Sequence, residues 1–114
     1  MIDWNRVTEL RDEVGAEDFD EVVDLFLLEV DEEIETLQSD HTSDTLAQKL
    51  HFLKGSAMSL GFAEFSQLCA ESEKQIVVEG VDKIDVASLL GSYGASRAHF
   101  MEQLPHKLAS HNNL

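Results

Sequence analysis

Cations are scarce in this chain. Its 114 residues carry 8 Lys and Arg against 23 Asp and Glu, a formal charge of −15 at pH 7. A nucleic-acid groove needs clustered cations to neutralise phosphates, so that class is excluded. Docking on an anionic membrane surface is disfavoured for the same reason. Cysteine is limited to Cys69, which rules out an intramolecular disulfide. Proline occurs only at Pro105, so nothing before it breaks a helix. No run reaches the roughly 18 apolar residues of a spanning helix. The opening MIDWNRV lacks the basic-then-apolar pattern of a signal peptide. These absences point to a soluble cytoplasmic protein with no nucleic-acid and no membrane partner.

What is present reads as one helical domain over residues 1–114. Apolar residues make up 43% and charged residues 27%, a globular balance with enough material for one modest core. Asp3 can cap a short helix in which Trp4, Val7, Leu10 and Val14 recur at spacings of three and four, and Gly15 ends it. A second helix starts near Asp18, with Phe19, Val22, Val23, Phe26, Leu27, Val30, Ile34 and Leu37 as its apolar stripe. SDHTSD, residues 39–44, reads as a turn, and Thr42 or Ser43 can cap a third helix. That helix carries Leu46, Leu50, Leu53, Ala57 and Leu60 on one side and stops at Gly61. A fourth runs from Ala63 through Phe65, Leu68, Cys69, Ser72 and Ile76 to Gly80. A fifth, capped by Asp82 or Asp85, aligns Ile84, Leu89, Tyr93, Phe100 and Leu104, with residues 105–114 expected to fray. Period-2 alternation is absent. The expected fold is all-α: an up-down-up-down antiparallel four-helix bundle with an additional short N-terminal helix. Such a bundle implies no activity by itself.

One stretch conflicts with its own helix. HFLKGSAMSLGF, residues 51–62, places a glycine and two serines inside the third helix, although a mid-helix Gly costs about 1 kcal/mol relative to Ala. At about 100° per residue, Leu50, Leu53, Ala57 and Leu60 all fall within about 40° of Leu46. His51 lies about 140° away and Gly55 about 180° away, so both face outward. Lys54 and Gly55 are neighbours of His51 on the helix surface. Gly55 then clears space beside the imidazole for a bulky reacting centre brought by another protein. Lys54 supplies a local cation, which disfavours a second proton on the ring and attracts phosphoryl oxygens as a mobile point charge. An exposed nucleophilic His with an adjacent Lys and Gly suits the carrying of phosphate. Phe52 and Met58 offer apolar surface around it, with Val7 and Leu10 as further candidates for partner docking if the N-terminal helix packs nearby.

The string His51-Phe52-Leu53-Lys54-Gly55-Ser56-Ala57, followed by Leu60-Gly61, resembles the signature of histidine-containing phosphotransfer (HPt) domains, roughly H-x-L-K-G-[SA]-[SA]-x-x-x-G. The resemblance implies a phosphorelay intermediate. His51 would take a phosphoryl group from a receiver-domain aspartate or a hybrid sensor histidine kinase and pass it to a response-regulator receiver aspartate. Lys54 would steady the phosphoryl group, Gly55 would leave room for it, and Ser56 and Gly61 would set local helix geometry. The chain would hold no cofactor of its own, and Mg²⁺ would come with the partner receiver. Leu50 stands where many members have Ala. Some members orient the imidazole with a polar residue of the next helix, for which Glu73, Lys74 and Gln75 are the candidates here.

Two other classes compete. A nucleotide-dependent kinase is not supported, because no G-x-x-x-x-G-K-[ST] loop exists. A metal-binding bundle could draw on His41, His51, His99, His106 and His111, but no Glu-x-x-His or His-Glu-x-x-His pair occurs. A non-catalytic adaptor that only docks receiver domains would share the fold without carrying phosphate.

Overall fold

The structure is a computed structural model that describes residues 2–37 and 43–112. Helix α1 spans Trp4–Val14, α2 Phe19–Leu37, α3 Ser43–Leu60, α4 Ala63–Glu79 and α5 Val86–Asn112, with a short 3₁₀ turn at Val81–Lys83. No strand occurs among the described residues. Helix α3 packs between α2 and α4, α4 packs on α5, and α1 lies across α2 and α3. The fold is therefore the expected four-helix bundle with a short N-terminal helix. Most of the turn expected over residues 39–44, with the Thr42 cap, lies outside the described residues.

Local chemistry accounts for the helix ends. The Arg6 backbone N–H donates to Asp3 Oδ1 at 3.3 Å and caps α1. Gly15 and Gly80 close α1 and α4 in the left-handed region, at φ of 90° and 93°. Asp85 accepts hydrogen bonds from the Ser88 hydroxyl at 2.7 Å and the Ser88 backbone N–H at 3.1 Å, which hold its carboxyl below the usual range and start α5 just after it. Ile84 consequently precedes the helix instead of joining its stripe. At the other end, α5 continues through Pro105 to Asn112, the last described residue of the segment expected to fray.

Leu46, Leu50, Leu53, Ala57 and Leu60 form the buried side of α3, against Val23, Leu27 and Val30 of α2 and Phe65 and Cys69 of α4. A ring cluster fills the end of the bundle where α1 crosses: Trp4 stacks on Phe100 at 5.8 Å, and Phe62 packs against Phe100 and Tyr93. Tyr93 also donates its hydroxyl to Asp31, whose two oxygens accept Arg97 Nε and Nη2 at 3.2 and 3.0 Å, joining α2 to α5. Burial and the Asp31 carboxylate push the Tyr93 phenol well up from its usual range.

Val7 and Leu10 are 1% and 5% exposed and belong to this core. They are unavailable to a partner, which corrects the expectation that they help docking. Their side of α1 faces α2 and α3, and burying such side chains contributes about 2 kcal/mol each.

Gly61 fixes where α1 sits. The Asp3 backbone N–H donates to Gly61 O at 2.7 Å, and Arg6 Nε donates to Ser59 O at 3.0 Å. Gly61 has φ of 90°, and a Cβ there would meet Asp3 O at 2.8 Å and Val7 Cγ2 at 2.9 Å. Both the backbone conformation and the contact exclude a side chain. Gly61→Ala should lower unfolding stability by about 2–4 kcal/mol, from left-handed strain plus the clash. Urea denaturation checks this, and a loss below about 0.5 kcal/mol would show that the α1 junction does not need glycine.

Candidate functional site

The apolar stripe of α3 is anchored so firmly that its opposite face has no choice of direction. With Leu50 and Leu53 fully buried, His51 turns outward, and its side chain is 74% exposed. Gly55, one turn on, is exposed, and nothing lies within 4 Å of where its Cβ would stand. Its φ is not positive, so the backbone does not require glycine there. Met58 and Phe52 are 61% and 39% exposed on either side. Ser56 is half-buried at the flank.

A second helix completes the arrangement. Glu73 of α4 projects onto the seam with α3, its side chain about three-quarters covered. Its Oε1 lies 3.1 Å from Lys54 Nζ, and its Oε2 lies 3.6 Å from His51 Nδ1. One carboxylate therefore faces both the imidazole and the ammonium. Oε1 is buried and accepts no hydrogen bond of good geometry, so the nearby Lys54 charge is what compensates it. The seam is fixed from below by Ser66, whose hydroxyl donates to Lys54 O at 2.9 Å. Cys69, under Glu73, is fully buried, and its thiol is pushed up to about 12, first by burial and then by Glu73, against a smaller opposing effect of Lys54. It is an inert core thiol.

Among the three α4 candidates the structure selects Glu73. Gln75 instead donates to Glu79 Oε2 at 3.0 Å along its own helix and takes no place in the site. Lys74 is exposed. A signal in the sequence separates them: from buried Cys69, Glu73 is rotated by about 40°, Lys74 by about 140° and Gln75 by about 120°. Ser66 gives no such signal, because a serine on an apolar stripe does not announce which carbonyl it will reach.

This geometry has a chemical consequence. A neutral imidazole carries one proton, and a carboxylate beside Nδ1 favours the tautomer with that proton on Nδ1. The lone pair is then on Nε2, in a side chain that is 74% exposed. Lys54 is one half of an ion pair with Glu73. Beside them lies a cleft of about 210 Å³ whose walls include Lys54, Met58, Gly61, Ala63, Ser66 and Ala70.

A sequence model of the Hpt domain family matches residues 21–104, which span α2, α3, α4 and most of α5. The chain belongs to the Hpt domain family. Hpt domains work in phosphotransfer within two-component signalling, and the matched region includes His51, Lys54, Gly55 and Glu73. Comparison with curated proteins returns no match, and comparison with solved structures returns none. The partners of an Hpt domain are two-component proteins, receiver domains or kinases. Among the described residues, no helix is long and apolar enough to cross a membrane, and no three His, Cys, Asp or Glu side chains are grouped to hold a metal ion. His41, one of the metal-ligand candidates, lies outside the described residues.

Proposed function

We propose that His51 accepts a phosphoryl group from a receiver-domain aspartate or a hybrid sensor histidine kinase and returns it to the aspartate of a response-regulator receiver. The observation that carries this reading is the exposed imidazole, with Glu73 Oε2 3.6 Å from its Nδ1 and open space where a Gly55 side chain would stand. Nε2 attacks phosphorus in line. The N–P bond forms as the P–O bond to the partner's aspartate breaks, and that electron pair leaves with the carboxylate. The Nδ1 proton stays on the ring beside Glu73. Lys54 offers positive charge to the phosphoryl oxygens, and positioning and charge neutralisation do most of the work. The receiver's aspartates and their Mg²⁺ supply the other half of the site, so this chain needs no metal of its own. The cytoplasm is the compartment in which such partners would meet it.

The test is incubation with receiver domains phosphorylated by acetyl phosphate. A carrier gains acid-labile, base-stable label, whereas a docking adaptor binds without gaining any. Lys54→Ala should keep His51 as the labelled residue but slow transfer by roughly tenfold, the scale of one partly exposed charge acting on the transition state. Stopped-flow or rapid-quench rates check this, and an unchanged rate would remove Lys54 from the mechanism.

A further inference from the structure

Helix α4 holds Lys54 at two points. Its ammonium lies 3.1 Å from Glu73 Oε1, and its backbone carbonyl accepts the Ser66 hydroxyl at 2.9 Å. The two points lie on opposite sides of the residue. A helical side chain leans toward the helix N-terminus, so the ammonium reaches back toward His51. The carbonyl points the other way along α3, toward the Gly61–Phe62 turn. Ser66 and Glu73 are seven residues apart, which sets them about 20° apart around the axis of α4 and about 10 Å apart along it. One face of α4 thus spans Lys54 from carbonyl to ammonium.

The Ser66 bond is not one that α4 needs for itself. A serine inside a helix ordinarily donates to a carbonyl three or four residues back in its own helix. Ser66 gives its only hydroxyl proton to α3 instead, and the residue is 4% exposed, so water does not compete for the bond. Apolar contacts are non-directional and tolerate small slides of one helix on another better than a hydrogen bond does. The site is sensitive to such a slide. Glu73 Oε2 stands 3.6 Å from His51 Nδ1, just outside a hydrogen bond, and a further ångström weakens its hold on the tautomer.

We infer that Ser66 is a positioning residue for transfer at His51: its hydroxyl locks α4 at the register set by the Gly61–Phe62 turn, where Glu73 meets both Nδ1 of His51 and Nζ of Lys54. This inference rests on His51 being the acceptor, and it names a residue that acts only through Lys54 and Glu73.

Ser66→Ala removes the hydroxyl and gives α4 a better helix former. The first readout needs no partner: ¹⁵N shifts of the His51 imidazole, assigned against His51→Gln at a pH where the ring is neutral. Ser66→Ala should move the tautomer balance away from Nδ1–H by about twofold or more. The second is the rate of label uptake from a phosphorylated receiver domain over a range of its concentrations. The rate at saturation should fall about fivefold, the equivalent of one net hydrogen bond. The half-saturating concentration should stay within about twofold, because Ser66 is almost wholly covered. Ser66→Thr keeps the hydroxyl, and the cleft that Ser66 lines has space for the added methyl, so it should restore both readouts. Val30→Ala, a core substitution on α2, loosens the bundle away from this seam and should move neither readout in the folded protein. With the wild type labelled on His51, either readout unchanged in Ser66→Ala overturns the positioning role and leaves the acceptor reading standing. A folded Ser66→Thr as slow as Ser66→Ala, or a Val30→Ala that reproduces both changes, overturns it too. A wild type that takes no label on His51 overturns the acceptor reading and this inference with it.

Discussion

His51→Gln takes up no phosphoryl group from any phosphorylated receiver, and its fold is unaltered. The first half follows because Gln offers no nucleophilic nitrogen at the place where Nε2 stands, and no other described histidine shares the Lys54 and Gly55 surroundings. The second follows because the side chain is 74% exposed and contributes nothing to the buried stripe of α3. The change in stability should stay within about 0.5 kcal/mol. Phosphate incorporation and urea denaturation are measured on the same preparation. Label retained on the variant would mean that another residue is the acceptor, and a large loss of stability would mean that the imidazole has a structural role.

Gly55→Gln separates clearance from conformation. Gly55 has ordinary helical φ, so any residue fits its backbone, and its Cβ would meet nothing within 4 Å. The substitution should therefore stabilise α3 by up to about 1 kcal/mol, as glycine is removed from a helix interior. Phosphotransfer should nevertheless fall by at least roughly tenfold, because a long side chain one turn from His51 fills the space that a partner's active site must enter, and a displacement of the reacting atoms on the ångström scale is enough for such a loss. Opposite signs for stability and transfer are the mark of a residue selected for what approaches it. Transfer at the normal rate would show that the glycine clears nothing.

The parts of this molecule that were legible in the sequence are those governed by period and by local chemistry. The stripe from Leu46 to Leu60 predicted both the buried side of α3 and the outward direction of His51, because a helix has only one way to bury five such residues. Asp3, Gly15, Gly61 and Gly80 marked helix ends for steric and hydrogen-bonding reasons that act within a turn. What was not legible depends on the register between helices. Glu73 meets Lys54 only because the Gly61–Phe62 turn sets how far α4 slides along α3, and Ser66 meets the Lys54 carbonyl for the same reason. The Tyr93–Asp31–Arg97 link joins residues more than 60 positions apart. Val7 and Leu10 show the limit from the other side: their spacing identified an apolar face but not whether a partner or the bundle covers it, and the bundle does. α5 runs on past Pro105 to Asn112.

The charge distribution adds a constraint on partners. From Asp12 to Gln48 the chain has no Lys or Arg. The exposed surface of α2 thus carries no cation, although Leu25 and Leu28 are exposed among its carboxylates, while Lys54 lies beside His51 on α3.

The most direct measurement is ³¹P NMR of the wild-type chain after reaction with a phosphorylated receiver domain, followed by mapping of the labelled residue. A phosphoramidate resonance on Nε2 of His51, discharged when fresh unphosphorylated receiver is added, is the expected result. A resonance assigned to another residue, or a receiver that binds tightly and transfers nothing, would contradict it.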